Sequence, residues 1–377
     1  MEKNNNKNII IGDLLEREEI NLNSENQKKQ FKGKKVFVTG AAGSIGSEIC
    51  RQLIKLEVEQ LILYDMAESP LHNIKLELEK NNSKIRIVCI IGDIRNKKRL
   101  KIFFKTYQPE IIIHAAAYKH VPLMEENPCE AVLVNIIGTK NVADLAVKYN
   151  VPKMILVSTD KAVNPTNVMG ATKRLAEIYI QSLGKAIETG NIKGKTSFIT
   201  TRFGNVLDSS GSVIPHFKQQ IEEGGPVTVT HPDIIRYFIT IQEACSLVLE
   251  AASMEEINKI FVFEMGKAVK IVDLAERMIT MSGYIPNVDI NIEFIGLRPG
   301  EKLYEEALSL EENAISTYHK KIKIAQVRDF KFNEIIDFFK KIESLSVNIK
   351  IDDTVKLMKF LLPEFKSQNS PFSRFDS

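Results

Sequence analysis

The sequence predicts an α/β fold, a doubly wound parallel sheet with a smaller lobe toward the C-terminus, and three observations carry that expectation. Short apolar runs recur at the period of strand–helix units. The first run leads through a glycine-rich turn into a helix-like segment. Several runs end in acidic or small residues, at the strand edge where open α/β sheets collect ligands.

Residues 1–31 are rich in Asn, Lys and Glu around one apolar patch, Ile9 to Leu15, and read as an arm that packs on a partner or on the body. Residues 32–205 read as the nucleotide-binding domain. The run Lys34 to Gly40 is its first strand, followed by Gly40-Ala41-Ala42-Gly43-Ser44-Ile45-Gly46 and a helix. Glycines suit that turn because a side chain would block the bend, the approach of backbone to a pyrophosphate and close helix packing, while the helix N-terminus offers N–H donors to the anion. Gly40, Gly43, Ser44, Ile45 and Gly46 are therefore cofactor-site candidates.

The next run ends in Asp65, about twenty residues past the last glycine, where a carboxylate can bind the adenosine ribose hydroxyls. This favours NAD over NADP, whose 2′-phosphate Asp65 would repel. Two further strand ends fit the same pocket: Asp93 and Ile94 beside the adenine, and Ala115, Ala116 and Ala117, small enough for the cofactor to approach. A long helical pattern from Glu125 to Lys148 follows, a candidate homodimer interface. The strand from Lys153 brings Ser158, Thr159 and Asp160 to the ligand side, and Met169 and Lys173 share one face of the next helix at i and i+4. Tyr149 and Lys153 have that spacing too, but they precede the strand and enclose Pro152.

A strand over Ser197 to Gly204 ends near Phe203 and Asn205, and residues 239–265 return to the sheet. Residues 206–238 and 266–330, with shorter signals broken by Gly and Pro, form the substrate lobe. There Arg298 sits on a turn suited to bidentate contact with a diphosphate, and Arg236 is a second cation. Residues 331–377 hold two amphipathic helices and a polar tail, frayed from Ser367.

Composition excludes other classes. The chain has 377 residues, 44% hydrophobic and 26% charged, enough for a large core. A net charge of +3 without a basic, aromatic-interleaved stripe argues against nucleic acid. Cys50, Cys89, Cys129 and Cys245 are far apart, so neither a disulfide framework nor a metal site is expected. With no apolar run of about eighteen residues and no signal sequence, a cytoplasmic protein without a membrane span is expected.

Several segments carry a resemblance: Ala115 to Pro122, Ser158 to Thr166, Met169 to Arg174, Thr201 to Val206, His231 to Phe238, and Gly296 to Glu306. Together with the glycine turn they resemble the extended short-chain dehydrogenase/reductases, with their Rossmann-type sheet. Within these the chain is most similar to the 4,6-dehydratases of bacterial glycan synthesis that act on UDP-N-acetylglucosamine, over residues 11–308. The resemblance implies a tightly bound NAD regenerated each turnover, with Ser158 and Phe203 beside it. It implies Asp160 as acid to the C6 hydroxyl and Lys161 as base at C5, roles that call for a raised aspartate pKa and a lowered lysine pKa. Thr159 would bond near the C4 oxygen, and Lys173 would fix the ribose.

The superfamily's tyrosine is replaced by Met169, which cannot remove a proton. The large, membrane-anchored members of this branch share that methionine, and this chain looks like their catalytic domain without the membrane region. The acceptor of the C4 hydroxyl proton stays open between Asp160 and a water held by Thr159. Asn205, Ser212, Arg236, Arg298 and Glu301 would contact the UDP part, with Lys119 and His120 near the sugar. C5 retention and a homodimer or higher homo-oligomer are expected. The alternatives are a UDP-hexose 4-epimerase, which needs no acid at C6, and a non-catalytic NAD-sensing protein.

Overall fold

The computed structural model describes residues 24–81, 84–306 and 313–376. Six parallel strands, β1 Lys35–Thr39, β2 Gln60–Asp65, β3 Arg86–Ile91, β4 Ile111–His114, β5 Lys153–Val157 and β6 Ser197–Arg202, pair in the order 3-2-1-4-5-6. Lys259–Phe263 continues the parallel run beside β6, and the antiparallel Ile322–Ala325 and Ala314–Ser316 complete nine strands. Val36, Phe37 and Val38 of β1, like Ile111, Ile112 and Ile113 of β4, are buried, as strands covered by helices on both sheet faces must be.

In β1, Val38 stands between Leu63 of β2 and Ile113 of β4. The winding direction reverses between β1 and β4, so the turns after them open into one crevice. Gly40 lies at φ +68°, and a Cβ there would stand 2.6 Å from the Ala116 amide nitrogen. One at Gly46 would stand 2.0 Å from the Gly40 carbonyl oxygen. Both glycines are thus fixed by backbone contact, which is why the turn and the Ser44–Lys55 helix sit tightly on the sheet.

Past the strand ends lies a second layer. Ile235–Ile239 pairs with Asn205–Val206 and Ala268–Lys270, and Val227–Val229 pairs with Ile292–Phe294. Phe217, Phe238, Leu274 and Met278 form a separate apolar cluster beneath them.

The helical pattern from 125 to 148 is not one helix. It breaks into Val121–Glu126, Pro128–Ala131, a π-helical turn Val132–Gly138 and Thr139–Lys148. Pro128 opens a new helix, and the wide turn centres on buried Asn135. That side chain accepts from the Tyr118 amide (2.8 Å) and donates to the Tyr118 carbonyl (3.0 Å) and Thr172 Oγ1 (3.0 Å). The widened turn thus holds the segment after β4 against the helix that carries Thr172.

Helices Phe332–Val347 and Ile351–Leu361 pack on Pro128–Ala131 and Val168–Glu188, and the first also packs on the π turn. The Phe339 and Tyr179 ring centroids are 4.9 Å apart. Over this stretch, the surface expected to pair two copies is covered by the chain's own C-terminal helices.

The tail expected to fray is instead held by backbone hydrogen bonds. Lys366 donates to the Pro165 carbonyl (3.2 Å), Gln368 donates to Thr166 (3.1 Å), and the Gly300 amide donates to Gln368 (2.7 Å). Phe372 is buried beyond them. At the other end, Glu25–Phe31 packs on Ile241–Ser253, where Gln27 Nε2 donates to the Ser246 carbonyl at 3.1 Å. The Ile9 to Leu15 patch lies outside the described residues. Among the described residues no helix is long and apolar enough to cross a membrane.

The C-terminal helices complete the core, so Phe339→Ala should lower unfolding free energy by about 3–5 kcal/mol in urea titrations. A loss below about 0.5 kcal/mol, the range of surface substitutions, would contradict this packing.

Candidate functional site

A cavity of about 1190 Å³ opens between the strand ends and the second layer. It exceeds the ~300–1,000 Å³ of a typical single-ligand pocket. One end is the glycine turn: Gly40, Gly43, Ser44, Ile45 and Gly46 line it with Ala115 and Ala117, while Ala116 lies beneath Gly40. Gly43 caps the Ser44–Lys55 helix with no side-chain acceptor, so the first-turn amides are available to an anion. This cradle fits a dinucleotide pyrophosphate.

Asp65 and Asp93 do not line the cavity. Asp65 accepts from the amides of Ala42 and Ala67, both at 2.9 Å, and so ties the glycine turn to the end of β2. Asp93 accepts from the Arg95 amide and Nε, both at 2.8 Å. Burial pushes its carboxyl up, but Arg95 outweighs this and holds it below the usual range. Ile94 is buried against Gly138.

Beyond β5 the chain keeps pairing: the Ser158 amide donates to Thr201 O (2.7 Å) and the Asp160 amide to Phe203 O (3.1 Å). A single 3-10 turn, Asp160–Ala162, follows, capped by Thr159. Thr159 Oγ1 donates to Asp160 Oδ1 at 2.9 Å. Lys161 Nζ donates to Asp160 Oδ1 (3.1 Å) and Asn205 Oδ1 (2.9 Å) and lies 3.5 Å from Glu305 Oε1. Burial pushes the Lys161 amine down, yet Asp160 and Glu305 outweigh it and hold the ammonium above its ordinary pKa. The expected lowering of Lys161 is therefore not what these neighbours produce; two carboxylates make the protonated form the resting one.

Met169 and Lys173 both line the cavity from the Val168–Glu188 helix. Lys173 Nζ donates to the Val157 carbonyl at 2.7 Å. Burial lowers its pKa to about 8, with Glu177 opposing. Behind it, Glu177 accepts from Ser158 Oγ (2.6 Å), Arg202 Nε (2.8 Å) and Arg174 (3.1 Å). Phe203 lines the cavity nearby. Lys153, by contrast, donates to the Ala252 carbonyl at 2.7 Å, at the opposite end of β5.

Lys119 and His120 face the cavity from the segment after β4. Burial lowers the pKa of both, and Lys119 lowers His120 further. Ser212 lines the wall, with a buried hydroxyl that has no partner. Arg236 is buried and donates to the carbonyls of Ile235 (2.7 Å) and Lys302 (2.8 Å). Arg298 stands at the mouth, 59% exposed and 3.5 Å from Glu301. Glu301 also accepts from the Arg298 amide (3.1 Å) and Thr230 Oγ1 (3.2 Å).

Sequence reasoning missed Asn135, Glu177 and Glu305 as site residues. Glu177 falls four residues beyond Lys173 on the same helix face, a signal that could have found it. Asn135 and Glu305 had none, since their roles depend on burial beside residues distant in sequence.

Residues 36–327 match the family described as polysaccharide biosynthesis protein. The chain is 49% identical to the capsular polysaccharide biosynthesis protein CapD of Staphylococcus aureus, across 89% of this chain and 55% of that protein. It thus spans about half the length of that relative. It is 36% identical to a UDP-glucose 4-epimerase of Rickettsia bellii, over 75% of this chain and 80% of that one. It is 34% identical to the UDP-N-acetylglucosamine 4,6-dehydratase (inverting) of Campylobacter jejuni, over 76% and 80%. The solved structure of Pen from Bacillus thuringiensis superposes with a TM-score of 0.72 at 32% identity, covering 84% of this chain and 99% of that one.

The buried Lys173 amine gives a signed pH prediction. An unfolded lysine titrates near pH 10.4, so the folded chain binds fewer protons between about pH 8 and that value, and stability contributed by this group rises with pH through the window. Relative to Lys173→Met, the wild-type protein should gain about 3 kcal/mol across it in urea titrations. A pH-independent difference would contradict the lowered amine.

Proposed function

Because the chain belongs to the polysaccharide biosynthesis family of extended short-chain dehydrogenase/reductases, we propose that it catalyses the NAD-dependent 4,6-dehydration of UDP-N-acetylglucosamine. The product is the C5-retained UDP-2-acetamido-2,6-dideoxy-α-D-xylo-hexos-4-ulose, for bacterial glycan synthesis. The observation that carries this reading is the Thr159, Asp160 and Lys161 turn beside a dinucleotide cradle, with an acid and a base in direct contact.

Dehydration needs the C4 hydroxyl oxidised first, because a 4-ketone acidifies the C5 proton. NAD, held by the Gly40–Gly46 turn and Lys173, would supply the hydride acceptor for C4 and the hydride donor for C6. Asp160, in contact with Thr159 and Lys161, accepts the C4 hydroxyl proton through the edge that Thr159 occupies. It then gives that proton to the departing C6 hydroxyl. Lys161 removes the C5 proton and returns one to the same face. Met169 has no proton to offer, which favours return by the lysine that removed it, and hence retention. Lys173 holds the nicotinamide ribose and, when protonated, stabilises negative charge at the C4 oxygen.

The UDP part would lie toward Arg298, whose exposed guanidinium can take a diphosphate. Arg236, committed to backbone carbonyls, contributes positive charge from behind. Ser212 offers its unpartnered hydroxyl, Glu301 and Asn205 add polar contacts, and Lys119 and His120 approach the sugar. Asp65, Asp93 and Ile94 would stand beside the adenosine end, outside the cavity lining itself, and the three alanines would let the cofactor approach.

A 4-epimerase is the second reading, favoured by similarity to the Rickettsia protein. It needs no acid at C6, so the Asp160–Lys161 pair counts against it. With NAD and UDP-N-acetylglucosamine in deuterated water, mass spectrometry should show loss of one water and gain of one solvent deuterium at C5. Folded Asp160→Asn and Lys161→Met variants should lose on the order of 10²–10⁴ in rate. An isobaric product, or variants with full turnover, would contradict the dehydratase.

A further inference from the structure

Glu305 lies seven residues beyond Arg298 in the chain, and its side chain is 4% exposed. It lines the cavity, with Oε1 at 3.5 Å from Lys161 Nζ and 3.9 Å from Arg236 Nε. Oε2 is buried with no hydrogen-bond partner. Buried carboxylate oxygens are rarely left so. Asp160 differs: its Oδ1 already receives both Thr159 Oγ1 and Lys161 Nζ.

Proton accounting under the dehydratase reading, on which this inference rests, leaves one requirement unmet. Lys161 rests as an ammonium and must be a free amine to remove the C5 proton. Asp160 cannot receive the ammonium proton if it has just taken the proton of the C4 hydroxyl and must still deliver it to C6. A second acceptor within reach of Lys161 is needed. Around its Nζ stand Asp160, Asn205 and Glu305, with Arg236 behind and Glu301 beyond Arg236. Asn205 cannot take a proton, and Glu301 is engaged by Thr230 and the Arg298 amide.

We propose that Glu305 is the proton acceptor for Lys161, holding the ammonium proton while Lys161 acts as base at C5. As C4 is oxidised, its hydroxyl proton passes to Asp160, and the hydrogen with its electron pair passes to the bound NAD. The Lys161 proton moves to Glu305. Lys161 takes the C5 proton, the C6–O bond breaks, and the Asp160 proton leaves with that oxygen as water. The electron pair returns with hydrogen to C6, Lys161 returns a proton to C5, and Glu305 gives its proton back to Lys161. Substrate loses one water, and all three side chains end as they began.

The test compares Glu305→Gln and Glu305→Asp with the wild-type full chain, each checked for fold by circular dichroism. In single turnovers with NAD and UDP-N-acetylglucosamine, Glu305→Gln should still form reduced nicotinamide in a fast phase. Product formation should then slow by on the order of 10²–10⁴. Glu305→Asp should recover part of the rate. Without substrate, the Lys161 Nζ resonance should titrate at lower pH in Glu305→Gln than in wild type, a readout independent of catalysis.

Wild-type product formation in Glu305→Gln, loss of the fast phase itself, or an unchanged Lys161 titration would each overturn the assignment. Wild-type protein that forms no dehydrated product would instead overturn the dehydratase reading, and this inference with it.

Discussion

The site depends on a carboxylate buried beneath it. Glu177 has no exposed surface and accepts from Arg202, Arg174 and Ser158, so it ties the helix carrying Lys173 to β6 and to the end of β5. Burial raises its pKa, but Arg202 outweighs that and holds the carboxyl below its ordinary value. An unpaired ion there would be unfavourable by several kcal/mol, so the three elements stay in register or the charge is stranded. That register sets where Ser158, Thr159 and Lys173 face the cavity.

A second set of charges sits in the cavity wall and is more loosely satisfied. Lys161 is shared between Asp160 and Glu305, Arg236 lies between Glu305 and Glu301, and one Glu305 oxygen has no partner. The loops bearing these groups are held from outside. The C-terminal tail bonds to Pro165 and Thr166 on one side and to Gly300 on the other. Thr166 and Asn167 also donate to the Gly300 carbonyl, at 3.0 and 2.9 Å. The Asp160–Ala162 turn and the Arg298 turn are therefore braced against each other by a segment far away in the chain.

Much of the doubly wound sheet was legible because its signals are local: apolar runs of strand length, glycines where backbone meets backbone, and turns at the ligand edge. Gly40 and Gly46 show why, since contacts of 2.6 and 2.0 Å at a hypothetical Cβ leave no other residue. The Asp160–Lys161 pair and the Met169–Lys173 face were legible from adjacency and helical spacing. What escaped was set by tertiary contact. The π turn at Asn135 answers to Tyr118, the ordered tail answers to Pro165 and Gly300, and the raised Lys161 answers to Asp160 together with the distant Glu305. Asp65 and Asp93 were read from position alone, and their carboxylates also accept from the backbone of Ala42, Ala67 and Arg95, contacts that position does not reveal.

In the proposed reaction, oxidation at C4 is coupled to elimination across C5 and C6 within one cavity. UDP-N-acetylglucosamine deuterated at C4 tests it most directly, with product analysed by NMR after turnover with unlabelled NAD. Coupled dehydration gives a 4-keto-6-deoxy sugar carrying the deuterium at C6. Deuterium found again at C4, on either sugar epimer, would contradict it.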